Sequence, residues 1–190
     1  MFKYIAVALV VIVAGILIAA ATRPDNFRVE RGVRVSAPAE KIFHYVNDFH
    51  QWGVWSPWEK LDPAMKRSFA GPQSGNGAVY EWQGNGKVGQ GRMRIIDATE
   101  PGHVIIELDF LKPIEGHDRA TFSFQPVGSD TEVVWSMEGP SPYLSKVMGL
   151  FFNMDKLIGD DFEKGLANLK AASEASPGAA SPGETSPGEK

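Results

Sequence analysis

Apolar and polar positions alternate through the middle of the chain, and the phase of that alternation assigns its elements. Phe27, Val29, Arg31, Val33 and Val35 fall on one side of an extended segment, and Arg28, Glu30, Gly32 and Arg34 on the other. This predicts a first strand with one mostly apolar face. Ser36 is placed to cap a following helix, with Pro38 and Glu40 in its first turn and Ile42, Phe43 and Val46 turned inward. Short helices continue to about Trp52. Further strands are predicted near Lys66–Ala70, Ala78–Gln83, Val88–Ala98, His103–Phe110, Arg119–Gln125 and Thr131–Met137, separated by Gly, Pro, Asn or Asp. Close spacing without intervening helices predicts an antiparallel meander.

From Pro142 to Ala172 the period changes. Leu144, Val147, Met148, Phe151, Ile158, Phe162, Leu166 and Leu169 recur at helical intervals, which predicts one long amphipathic helix. A sheet apolar on one face and a single long helix bury both surfaces when the sheet wraps the helix. The expected fold class is therefore α+β, with about seven antiparallel strands gripping a C-terminal helix.

The two ends have a different character. Tyr4 to Ala21 carries no charge, and as a helix it would be about 27 Å long, enough to span a bilayer's hydrocarbon core. Lys3 before it and the Ala19-Ala20-Ala21 ending also fit a cleavable signal. The apolar run exceeds the roughly 7 to 15 residues of a signal core, which favours a retained single-pass anchor, with secretion as the consequence of cleavage. Arg23, Arg28, Arg31 and Arg34 favour a cytoplasmic domain by the positive-inside rule, whereas the short N-terminal tail slightly favours export. From Ser176 a fivefold-spaced Ser-Pro-Gly repeat is expected to be disordered. The expected organisation is a membrane helix over 1–22, one domain over 27–172 and a tail over 173–190.

Composition narrows the function classes. The net charge is -4, and no stretch gathers a basic face with stacking aromatics, so nucleic acid is not an expected partner. The absence of cysteine removes disulfides, thiolate metal sites and a cysteine lipid anchor. The segment between helix and tail, roughly 145 residues, suffices for one core.

Candidate chemistry is sparse. Gly84-Asn85-Gly86-Lys87-Val88-Gly89 matches a dinucleotide-binding pattern, but a strand follows where a helix N-terminus is required. Asn85-Gly86 instead predicts a tight hairpin turn. His44, His50, His103 and His117 show no metal-ligand spacing, so neither metal nor cofactor is expected. His44 and Asp48 could pair on the first helix, and no serine lies in a nucleophile elbow. Alternation turns Glu81, Glu107 and Asp109 outward, while Asp155 falls within or beside the buried stripe of the long helix.

Aromatic residues are the more unusual feature. Trp52, Trp55 and Trp58 cluster after the first helix, and Tyr80, Trp82, Phe110, Phe122, Phe124 and Trp135 share one face of the strands. They either fill a core or line a cavity for a hydrophobic small molecule. The expected lining is Trp55, Trp58, Tyr80, Trp82, Met93, Leu108, Phe110, Phe122, Phe124, Trp135, Phe151, Asp155, Ile158 and Phe162. Gly159 and Gly165 in the helix predict close backbone approach or room beside it.

Several local strings carry a family resemblance: Ser36-Ala37-Pro38-Ala39-Glu40-Lys41-Ile42-Phe43, the segment Trp52 to Trp58 with Trp-Ser-Pro-Trp, Gly75 to Trp82 as Gly-x-Gly-Ala-x-Tyr-x-Trp, Leu108-Asp109-Phe110, and Ile158 to Leu166. With the order of elements, they make Phe27 to Ala171 resemble the START-related helix-grip (SRPBCC) superfamily, in its bacterial polyketide cyclase/dehydrase-like branch. The resemblance implies a seven-stranded sheet around a C-terminal helix with a cavity between them. It implies no reaction, because function lies in the site. The expected function is a membrane-tethered binding protein for a lipid or other small hydrophobic ligand, with no catalytic residue identified. A cyclase/aromatase-like enzyme and a regulatory or assembly module with a vestigial cavity are the alternatives.

Overall fold

The computed structural model describes residues 2–175. Helix α1 spans Phe2–Ala21, and β1 follows at Asn26–Val35. Then come α2 (Ala39–Asn47), a 3-10 turn at Phe49–Gln51, α3 (Trp52–Trp55) and a second 3-10 turn at Pro57–Lys60. Strands β2 (Lys66–Ala70), β3 (Val79–Gln83), β4 (Gln90–Thr99), β5 (His103–Lys112), β6 (Gly116–Val127) and β7 (Asp130–Pro140) lead to α4 (Tyr143–Met148) and α5 (Met154–Glu174).

The seven strands form one antiparallel sheet in the order β1-β7-β6-β5-β4-β3-β2. β1 and β2 therefore sit at opposite edges, about 29 Å apart at the usual strand spacing. The chain between them must cross the sheet, and it does so as α2, α3 and the two 3-10 turns. Their apolar side chains meet the sheet's inner face: Ile42, Phe43, Val46, Phe49, Trp52 and Trp55 are buried with Val104, Ile106, Ala120, Phe122, Phe124, Val133 and Trp135. A bulge after Ile95 shifts the register, so that Asp97 faces Ile105 and Ala98 faces Val104. Such a bulge bends the strand and helps the sheet curl.

The outer face is polar, and its charges alternate across the strands. Arg28, Glu138, Arg119, Glu107 and Arg94 are successive cross-strand neighbours from β1 to β4. Arg28 bonds Glu138 at 3.0 Å and Arg94 bonds Glu107 at 2.6 Å. Exposed pairs of this kind contribute little individually, roughly 0.2–1 kcal/mol, but they keep this face in water and fix its register.

The predicted long helix is two helices. Gly149 ends α4, and the side chain of Asn153 caps α5 by accepting the Lys156 N–H at 3.0 Å. These stop and start signals override the apolar spacing of Val147 to Phe152. Phe151 consequently lies in the connecting turn, exposed, rather than on the buried stripe. α5 buries Phe162, Leu166 and Leu169, and at Gly165 its backbone approaches the sheet so closely that an added Cβ would lie 2.9 Å from Trp135 and 3.2 Å from Pro57. The helix reaches Glu174, whose carboxylate accepts the Ser36 N–H at 2.7 Å; Ser173 and Glu174 thus belong to α5, not the tail. The Ser-Pro-Gly repeat lies outside the described residues.

Two local expectations are also revised. Pro38 occupies the position before α2, and Ser36 makes no side-chain cap bond there. The β3–β4 hairpin takes its positive φ at Gly89, not at Asn85-Gly86, because a six-residue loop closes between Gly84 N–H and Gly89 C=O at 2.8 Å.

Candidate functional site

The deep interior is closed by stacked rings. Trp135 lies on Phe162 with centroids 3.9 Å apart and planes 5° from parallel, and it stacks on Phe122 from the other side at 4.8 Å. Trp55 and Trp58 meet Trp135 edge-on at 5.7 and 5.6 Å. Of the predicted lining, Trp55, Phe122, Phe124, Trp135 and Phe162 are thus buried core at this level. Trp52, Trp55 and Trp82 each donate their indole N–H to a main-chain carbonyl, whereas the buried Trp135 N–H has no acceptor among the described residues.

Toward the end of the sheet where β1 begins and β7 ends, burial of the inner face is less complete. The floor there is Val29, Met93, Leu108, Ala120 and Met137, and the residues around it are only half-buried: Phe27, Trp58, Trp82, Phe110 and Ile158. Trp82 and Phe110 pack edge to face at 6.0 Å. Trp82 can lie against the sheet because Gly91 has no side chain beneath the ring.

A single carboxyl joins this apolar set. Asp118 precedes Ala120 by two residues on β6 and pairs with Leu108 on β5, so it faces inward. Gly139 beside it leaves the space that its carboxyl occupies, and Phe27 packs at the other side of that glycine. Burial pushes the Asp118 carboxyl up to about 6, with the neighbouring His117 charge opposing the shift. A depression of about 740 Å³ reaches this point, running from Phe27, Asp118 and Gly139 to the outer-face residues Arg28, Glu138, Arg119, Asp109 and His117. Asp118 was not among the sequence candidates. Extending the inward phase of Ala120, Phe122 and Phe124 by one step would have found it.

Other polar groups have structural partners. Arg31 shares the inward phase of β1, and α5 neutralises it: its guanidinium bonds Asp155 at 3.1 and 3.2 Å and Glu163 at 2.9 Å. Asp155 is therefore an exposed ion-pair partner and not a lining residue, with its carboxyl held below the usual range by Arg31. Tyr80 is buried and donates to Glu59 at 2.6 Å, while Arg67 bonds the same carboxylate at 2.7 Å. Burial, reinforced by Glu59, raises the Tyr80 phenol and keeps it neutral.

Asp48 pairs with His50 at 2.8 Å rather than with His44, because α2 ends before Asp48. Glu81, Glu107 and Asp109 face outward onto Arg92, Arg94 and His117. Among the described residues, no group of three or more His, Cys, Asp or Glu is arranged to hold a metal.

Comparison with known proteins agrees with this architecture. The chain superposes on the aromatase/cyclase Zhui of Streptomyces sp. R1128 with a TM-score of 0.59 at 15% identity, over 78% of this chain and 94% of that one. A Chromobacterium violaceum protein matches with a TM-score of 0.57 at 14% identity, over 81% and 100% of the two chains. A Thermobifida fusca protein gives 0.55 at 24% identity, over 77% and 92%. At these identities the likeness is one of fold. A sequence search of curated proteins gives no match. The family model for polyketide cyclase/dehydrase and lipid transport proteins matches residues 26–174, the whole of the sheet with α5, and the chain belongs to that family.

Proposed function

We propose that this chain is a membrane-tethered binding protein for a small hydrophobic molecule, seated at the open end of the inner sheet face. The observation that carries this reading is the ring of half-buried apolar side chains, Phe27, Trp58, Trp82, Phe110 and Ile158, around a floor of Met93, Leu108 and Met137. A ligand laid there would complete the burial of aromatic and methionine surface that the chain itself leaves partly wet. One polar group would orient it, Asp118, toward a hydroxyl or amine. The apolar α1, 20 residues long and with its large side chains exposed, supplies the tether.

The test is titration of the full-length protein in lipid nanodiscs with a fluorescent fatty-acid analogue. Saturable binding is expected for the wild type and its loss in Leu108→Trp, which fills the floor. Equal binding by both would refute the placement of the site.

A second reading rests on Asp118. A carboxyl that titrates near 6 beside an apolar cleft is suited to act as general acid or base on a bound chain, as a cyclase/aromatase-type reaction requires. Under this reading Asp118→Asn retains ligand binding and abolishes turnover of a poly-β-carbonyl substrate; unchanged turnover would exclude Asp118 as the acid or base, and no turnover by the wild type would leave binding alone as the function.

A further inference from the structure

The segment from the end of the sheet to the first turn of α5 exposes more apolar side chain than the rest of the domain leads one to expect. Leu144 is 66% exposed, Phe151 64%, Phe152 56% and Leu157 57%, all within one short stretch of sequence. A soluble domain rarely leaves so many large apolar groups together in water without a surface to cover them.

The position of this stretch identifies the covering surface. α4 is fastened to the last turns of α1: the Tyr143 hydroxyl donates to the Leu17 carbonyl at 2.7 Å, Lys146 is buried against Asp25, and Ala20 is fully buried. If α1 spans a bilayer, those last turns lie at its boundary, and α4 is held at the same depth. Tyrosine at that level, with leucine and phenylalanine beside it, is the composition of a segment lying in the interface.

The sheet agrees. Asn26 pairs with Pro140 and Phe110 with Gly116, so the exit from α1, the approach to α4 and the β5–β6 turn share one end of the sheet. That turn also presents Leu111 and Ile114, 46% and 63% exposed. Asp118 lies at this end as well.

We propose that α4 and residues 149–153 form a second, interfacial membrane contact, which seats the open end of the cleft on the bilayer beside α1. This inference rests on the reading of α1 as membrane-inserted. It goes beyond a tether, because insertion of α1 alone would leave α4 and residues 149–153 in water, whereas two contacts fix how the domain sits on the bilayer. The cleft then faces lipid, and an apolar ligand can pass between bilayer and domain without crossing bulk water.

The chain has no cysteine, so single cysteines report cleanly. Val10→Cys, Leu144→Cys, Phe151→Cys and, as a control on the outer face of β6 toward its other end, Gln125→Cys would be labelled with an environment-sensitive NBD fluorophore. Each full-length protein would be reconstituted into phosphatidylcholine/phosphatidylglycerol vesicles with or without nitroxide-labelled lipid. Labels at 10, 144 and 151 are expected to be quenched about two-fold or more by the nitroxide lipid, and the label at 125 to be unaffected. Quenching at 10 without quenching at 144 and 151 overturns the inference and leaves the tether intact. No quenching at 10 removes the tether and the inference together. Labels at 144 and 151 that are shielded equally with and without nitroxide lipid, in a particle of doubled protein mass, would make the patch a contact between two copies and likewise overturn it.

Discussion

Asp118→Asn is the perturbation whose outcome the structure fixes most closely. The carboxyl lies on the inner face between Leu108 and Gly139, and burial raises it from 3.8 to about 6. At full weight such a shift corresponds to about 3 kcal/mol of penalty on the ionised form in the folded state. The group is only partly buried, and solvent screening reduces the figure to roughly 1 kcal/mol. The sign follows from proton binding. Below about 3.8 the carboxyl is protonated in both states and contributes nothing. As pH rises toward 6 the unfolded chain ionises first, so folding stability falls, and the penalty persists above 6. Asparagine has the same shape and never ionises. The variant should therefore melt with the wild type at pH 3.5 and above it at pH 8, by about 2–4 °C for a domain of this size. Differential scanning fluorimetry in detergent at the two pH values measures this directly. A variant less stable at pH 8, or one whose advantage is the same at both pH values, would refute the burial argument.

Two further substitutions test the packing of α5. Gly165→Ala gains about 1 kcal/mol of helix propensity, but its Cβ meets Trp135, which is pinned between Phe122 and Phe162. The overpacking cost, about 1–3 kcal/mol, should exceed the gain, and urea unfolding should show net destabilisation; a stabilised variant would mean that the ring stack yields. Arg31→Met removes the bonds to Asp155 and Glu163 while keeping the aliphatic stem. A loss of stability is expected, and in Asp155→Asn/Glu163→Gln the same change should cost far less, which a double-mutant cycle by urea unfolding measures.

The sheet was legible in the sequence because its period is simple. Val133, Trp135 and Met137, or Phe122 and Phe124, announce an inner face whatever their partners are, and the turns between strands are marked by glycine, proline and asparagine. The break between α4 and α5 was hidden because Met148, Phe151 and Phe152 continue a helical spacing, and only Gly149 and Asn153 mark the stop and the new start. Asp118 was missed because a polar residue at a strand end looks like the start of a turn. Its inward phase shows only when β6 is extended back past Ala120. Arg31 and Asp155 lie far apart along the chain, and no local pattern predicts their pairing. Which aromatics fill the core and which frame the open end depends on where α5 crosses the sheet, and hence on the contact at Gly165.

The most direct test of a hydrophobic ligand at the open end of the sheet is mass spectrometry of small molecules that copurify with the full-length protein from membranes, run in parallel on wild type and Leu108→Trp. The account predicts a discrete apolar species near one per chain in the wild type and its absence from a folded Leu108→Trp. The same lipids in the same amounts with both proteins would contradict it.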